Sequence, residues 1–190
     1  MSVDLIRGLS VAIDDNNYPL AKDILETRQT TGQIYQKNGN EFPLSRSVKT
    51  HNAQIFGLIL NKLEKLKDVK QIQPDPNFSL FSEHTKPIQI DSHLTPQIIA
   101  AGVRTLLDEL KKCRQLDAES PLITMVEALE KSEIVNDNFK AALSNTLATL
   151  IKSYGHTDVS RVAATLFIES AGDLDFGQPE NNRNSDLGRS

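Results

Sequence analysis

An all-α fold, built of stacked helix-turn-helix units that continue into a helical bundle with a long loop at residues 68–93, is expected from three features of the chain. Apolar residues recur at three- and four-residue steps through most of its 190 residues, the spacing that lays one apolar stripe along a helix. Start signals stand ahead of those stripes: Phe42-Pro43, Thr95-Pro96 and Ser120-Pro121 each put proline in a first helical turn, where its missing N–H would have been unpaired anyway. Between residues 5 and 66 one helix-elbow-helix pattern occurs twice in register.

Taken in order, Leu5, Ile6, Leu9, Ala12 and Ile13 mark a first helix, and Pro19 to Thr27 a second with Leu20, Ile24 and Leu25 inward. Pro43 opens a third. After the polar elbow Thr50-His51-Asn52, residues Ile55, Phe56, Leu58, Ile59 and Leu60 stripe a fourth, which continues through Leu63 and Leu66. From Asp68 to His93 the helical period is lost and Pro74, Pro76 and Pro87 intervene; a loop this long inside a compact domain signals function or flexibility. Within it Phe78, Leu80 and Phe81 stand out from polar neighbours, either pinning the loop to the core or meeting a partner. Ile88 and Ile90 alternate with Gln89 like a brief extended segment.

Thr95 is expected to cap the next helix, with Ile99, Val103, Leu106, Leu110 and Cys113 on one face. Ser120-Pro121 opens another, ahead of Leu122, Met125, Val126 and Leu129. Phe139, Leu143, Leu147, Leu150 and Ile151 stripe a helix that Gly155 closes in a left-handed cap. Thr157 starts the last, carrying Val159, Val162, Ala163, Leu166 and Phe167. Each helix is apolar over about a third of its circumference and needs neighbours to persist. Residues 94–172 are therefore expected to pack with 1–67 as one domain, and the polar stretch 173–190 to form a disordered tail.

Charge and composition narrow the function. The net charge is −4 and the pI about 5.6, with lysines spread along the chain, which disfavours a nucleic-acid platform. A single cysteine excludes an internal disulfide and fits a reducing, cytoplasmic setting. The first residues carry Asp4 and Asp14 without an uninterrupted apolar run, so neither a signal peptide nor a membrane span is expected. No GxSxG elbow, phosphate loop, HExxH or Cys-His pair at ligand spacing occurs, so no catalytic residue, metal or cofactor is assigned. A zinc set can be drawn from Glu83, His84, Asp91 and His93, but loops rich in such residues are common. Cys113 reads as an inert packed thiol, and Asp108 with Lys112 as a solvated helix-face pair.

The duplicated pattern is similar to that of the ankyrin-repeat family. In residues 42–60, Pro43 and Leu44 match the family's Pro-Leu, Ser47 and Val48 take the paired small positions, His51 and Asn52 stand at the elbow, Gln54 at the polar site, and Ile55, Phe56, Leu58, Ile59 and Leu60 fill the apolar run. Phe42 and Ser45 replace the usual Thr and His. Upstream, Leu9, Ala12, the Asn16-Asn17 elbow, Leu20, Ala21, Ile24 and Leu25 repeat the match, the two elbows lying 35 residues apart against a family period of about 33. Tyr154 to Val162, with Gly155-His156, Asp158 and Val159, resembles a third elbow.

The resemblance implies a module that binds another protein through a concave face and the 68–93 loop, as an adaptor, an inhibitor or a bacterial effector delivered into a host cell. It nominates Lys37, Asn38, Asn40, Glu41, Arg46 and Lys49 as partner-binding residues, with Phe78 and Phe81 from the loop. Replacing Arg46 and Lys49 by Glu is expected to weaken binding while leaving stability nearly unchanged. A non-repeat helical chaperone or regulatory subunit is the alternative, and an enzyme is not expected.

Overall fold

Apolar stripes this dense condense into helices joined by short elbows, and the computed structural model has that form, describing residues 8–75, 86–113 and 119–154. Phe78, Leu80, Phe81, the elbow at Gly155-His156, the helix expected from Thr157 and the tail 173–190 lie outside the described residues. Among the described residues there are seven α-helices: α1 (Leu9–Asp14), α2 (Tyr18–Glu26), α3 (Pro43–Lys49), α4 (Ala53–Lys65), α5 (Thr95–Lys112), α6 (Pro121–Lys131) and α7 (Asp137–Tyr154). The fold is all-α, with one two-stranded ribbon among the described residues.

The two predicted elbows share one backbone solution. After α1, Asn16 takes φ 51° and after α3, His51 takes φ 55°, the left-handed conformation that Asn and His tolerate better than most residues. At the first elbow Asn16 N–H donates to Ile13 O and Asn17 N–H to Ala12 O; at the second His51 N–H donates to Val48 O and Asn52 N–H to Ser47 O. These paired bonds satisfy helix-end carbonyls that would otherwise be orphaned. The following asparagine then caps the next helix. Asn17 Oδ1 accepts from Leu20 N–H at 3.1 Å, and Asn52 Oδ1 from Ile55 N–H at 3.0 Å. Asn52 Nδ2 also donates to Asn16 Oδ1 at 2.6 Å, joining the elbows.

Asn52→Ala is expected to cost about 2 kcal/mol, one part from the lost cap and one from the Asn16 bond. Asn52→Asp, which keeps the cap acceptor but sets a carboxylate against the Asn16 amide oxygen, falls between wild type and Asn52→Ala. Thermal melts of the three proteins rank them.

The helices form two layers. In one, α1 lies beside α3, α3 beside α5 and α5 beside α7; in the other, α2 lies beside α4 and α4 beside α6. Consecutive helices α1/α2, α3/α4 and α5/α6 touch across the layers. A continuous apolar core runs between them, through Ile13, Ile24, Leu44, Phe56, Ile59, Ile99, Leu106, Met125 and Leu143, each fully or almost fully buried. Removing such side chains from water stabilises by about 1.5–3 kcal/mol apiece before entropy is counted.

The closest approach lies between α3 and α5, where Gly102 has no side chain to hold them apart. An added Cβ there would stand 2.8 Å from Leu44 Cδ2.

Several expectations change in detail. The 68–93 stretch is more ordered at its ends than a loop: β1 (Gln71–Ile72) pairs antiparallel with β2 (Ile88–Gln89), Ile72 opposite Ile88, and Ile90 N–H donates to Lys70 O at 2.9 Å. The extended reading of Ile88 is thereby located. Ile90 is buried in the core, so the ribbon is anchored at its root.

Thr95 does not cap α5. A 3-10 helix at Ser92–Leu94 runs straight into it, leaving Thr95 with helical angles and Leu94 as a cap without a side-chain bond. Lys112 pairs with Glu109 at 3.1 Å rather than with Asp108, because Glu109 is already held by His51 across the elbow, Nε2 to Oε2 3.2 Å. By contrast, α7 runs unbroken through Leu143, Leu147 and Leu150, as the apolar stripe from Phe139 predicts. No helix among the described residues is long and apolar enough to cross a membrane.

Candidate functional site

A tight turn projects ahead of α3. Asn38 N–H donates to Glu41 O at 2.9 Å and Glu41 N–H to Asn38 O at 3.4 Å, while Gly39 sits at φ 66°, the positive-φ geometry that short hairpin turns demand. Phe42 is buried beneath the turn, and Lys37 Nζ lies 5.0 Å from its ring centre, within cation–π range. The turn is thus fixed to α3 by an aromatic anchor rather than by the Thr and His side chains of the family pattern.

Between this turn, α3 and the first half of α5 lies an open groove of about 730 Å³. Lys37, Asn40, Glu41 and Phe42 form one wall, Ser45 and Lys49 the floor, and Pro96, Gln97, Ala100, Ala101, Arg104 and Thr105 the opposite wall. Small side chains at Ala100 and Ala101 give it depth. Its charge is cationic: Lys37, Lys49 and Arg104 stand against Glu41 alone. Lys49 Nζ pairs with the Glu41 carboxylate, which leaves Lys37 and Arg104 without an ion-pair partner among the described residues. Ser45 is 4% exposed, and its hydroxyl finds no hydrogen-bond partner, a cost of about 1–3 kcal/mol where water or a ligand does not meet it.

Of the residues nominated from the sequence, Lys37, Asn40, Glu41 and Lys49 line this groove. Asn38 is exposed at the base of the turn. Phe78 and Phe81 lie outside the described residues.

Arg46 faces away, toward α1. Its Nε and Nη2 each donate to the Asp14 carboxylate at 2.6 Å, a bidentate clasp between neighbouring helices, with Glu41 Oε2 3.9 Å from Nη1. The guanidinium holds the Asp14 carboxyl below its ordinary value of 3.8. Because the folded pKa is depressed, this clasp contributes fully above about pH 4 and is lost as pH falls through the lowered value.

Arg46→Glu is therefore expected to lower the melting temperature at neutral pH, by about 1 kcal/mol once solvent screening is allowed for, or roughly 2–4 °C at this size. Lys49→Glu, which breaks only an exposed pair, should move it less. The difference between the two variants should shrink as pH falls from the ordinary carboxylate value of 3.8 through the lowered one.

The opposite wall was not foreseen. Gln97, Ala100 and Arg104 recur at three- and four-residue steps on the polar side of α5, a pattern any solvated helix face carries. The available signal was the small-residue run Ala100-Ala101-Gly102, which marks where another helix comes close.

Other titratable groups serve the frame. His51 holds Glu109 below the ordinary carboxylate value, and burial raises Glu130 even though the Ser144 hydroxyl donates to it at 3.0 Å. Burial also raises the thiol of half-buried Cys113. No group of three metal-ligating side chains comes together among the described residues. Comparison of the chain with protein-family models, curated proteins and solved structures gives no match.

Proposed function

We propose that this protein is a protein-interaction module whose working surface is the groove between the 37–42 turn, α3 and α5. The observation that carries the reading is the assembly at one open groove of a projecting turn, a cationic rim and a wall with small residues at Ala100 and Ala101, contributed by three separate segments of the chain. The repeated elbow geometry, offset by 35 residues, and the two-layer neighbour order of the helices support a resemblance to ankyrin repeats. In such an arrangement, turns and inner helices compose one face of the molecule. Binding by an adaptor, inhibitor or effector is favoured over a self-completing bundle, since the groove is open while the apolar stripes of the described helices are already buried against one another.

The test is competitive capture. Ala100→Arg fills the groove from the α5 wall, and Lys131→Glu alters an exposed cation on α6 in the other layer. From extract of the source cells, a protein that wild type and Lys131→Glu retain, and that a folded Ala100→Arg variant loses, supports the reading. A partner set identical for all three proteins contradicts it.

A further inference from the structure

We infer that the occupant of this groove is an acidic segment of a partner protein, held by its carboxylates on Lys37 and Arg104 with an apolar side chain set between them; the inference rests on the interaction reading above. Three observations converge. The groove carries three cations and one anion on a chain whose net charge is −4, so positive potential is concentrated there against the overall balance, and an acidic ligand is steered to it. Arg104 is exposed and makes no ion pair among the described residues, which leaves its planar fork of donors open for bidentate carboxylate binding.

The wall that carries Arg104 also presents the start of α5. That 18-residue helix has no side-chain cap, and Pro96 and Gln97 from its first turn line the groove. Its Thr95 N–H already donates to Ser92 O and Pro96 has none, so these residues shape the wall. Between the charges, Ala100 and Ala101 together with Phe42 offer an apolar strip for one side chain. Lys37 lies over the Phe42 ring, close to the rim.

Fluorescence anisotropy with labelled ten-residue peptides tests this. One alternates Asp and Glu with Leu and Phe, and a second replaces each acid by its amide. The expected result is saturable binding of the acidic peptide only, weakened at least tenfold by Lys37→Glu with Arg104→Glu, unchanged by Lys131→Glu, and weakened as salt rises from 50 to about 300 mM in line with screening. Equal binding of the amide peptide, equal loss with Lys131→Glu, or no binding of the acidic peptide overturns the inference. The capture experiment with Ala100→Arg is read separately, so a partner lost from that variant while the acidic peptide fails to bind leaves the groove in use by a ligand of other chemistry. Circular dichroism of the double variant verifies that both substitutions, at exposed positions, leave it folded.

Discussion

Phe56→Ala is expected to be the most damaging single substitution in the chain, costing about 4 kcal/mol of stability. Phe56 is fully buried and among the largest side chains of the core. It belongs to α4, which touches α2 and α6 within its layer and α3 across to the other. Truncation leaves a void that three neighbouring helices cannot collapse into together, so the lost transfer energy and the cavity term add. Against a typical total of about 5–15 kcal/mol, that is between about a quarter and four-fifths of the stability. In urea, the midpoint should fall with little change in slope. A shift of the midpoint equivalent to less than about 1 kcal/mol would mean that α4 is not at the centre of the stack.

The second large effect is expected at Gly102. Valine there should destabilise by about 3 kcal/mol, near the upper end for overpacking, although glycine inside a helix is ordinarily a residue whose replacement helps. The reason is steric. A Cβ would stand 2.8 Å from Leu44 Cδ2 and 3.2 Å from Leu44 Cγ, and Leu44 is fully buried in a close-packed core. The branched methyls of valine enlarge the clash, so α3 and α5 must separate. Since the same two helices floor and wall the groove, binding should suffer along with stability.

A double-mutant cycle isolates the cause. In a Leu44→Ala background the valine should be tolerated far better, giving a coupling of about 1–3 kcal/mol. Strict additivity would place the strain elsewhere.

Helix existence was legible because periodicity and proline placement report directly on buried faces. The elbows were legible too: Asn16-Asn17 and His51-Asn52 are residue types that accept a left-handed angle and then cap, so local chemistry sufficed. What escaped was decided by tertiary proximity. Thr95 has the chemistry of a cap, yet the 3-10 helix before it carries the chain into α5 one residue sooner. Arg46 and Lys49 look alike in sequence as exposed cations three residues apart, but that spacing turns one toward Asp14 on α1 and the other toward the groove. The α5 wall could not be read at all, because the neighbour that makes it a wall, α3, is about fifty residues away in the chain.

The α5/α6 pair went unrecognised as a continuation of the layers for a similar reason. Its connection, residues 113–120, has neither the length nor the residues of the first two elbows. The resemblance pointed instead to residues around Tyr154, the last residue of α7.

The central claim is that one face, the groove bounded by the 37–42 turn, α3 and α5, does the work of this protein. Photo-crosslinking in intact source cells tests it most directly, with benzoylphenylalanine placed either at exposed Gln97 in the groove or at exposed Lys131 on α6. Covalent adducts to a discrete protein from position 97, absent from position 131, are the predicted result. Adducts from position 131 alone, or none from either position, would contradict it.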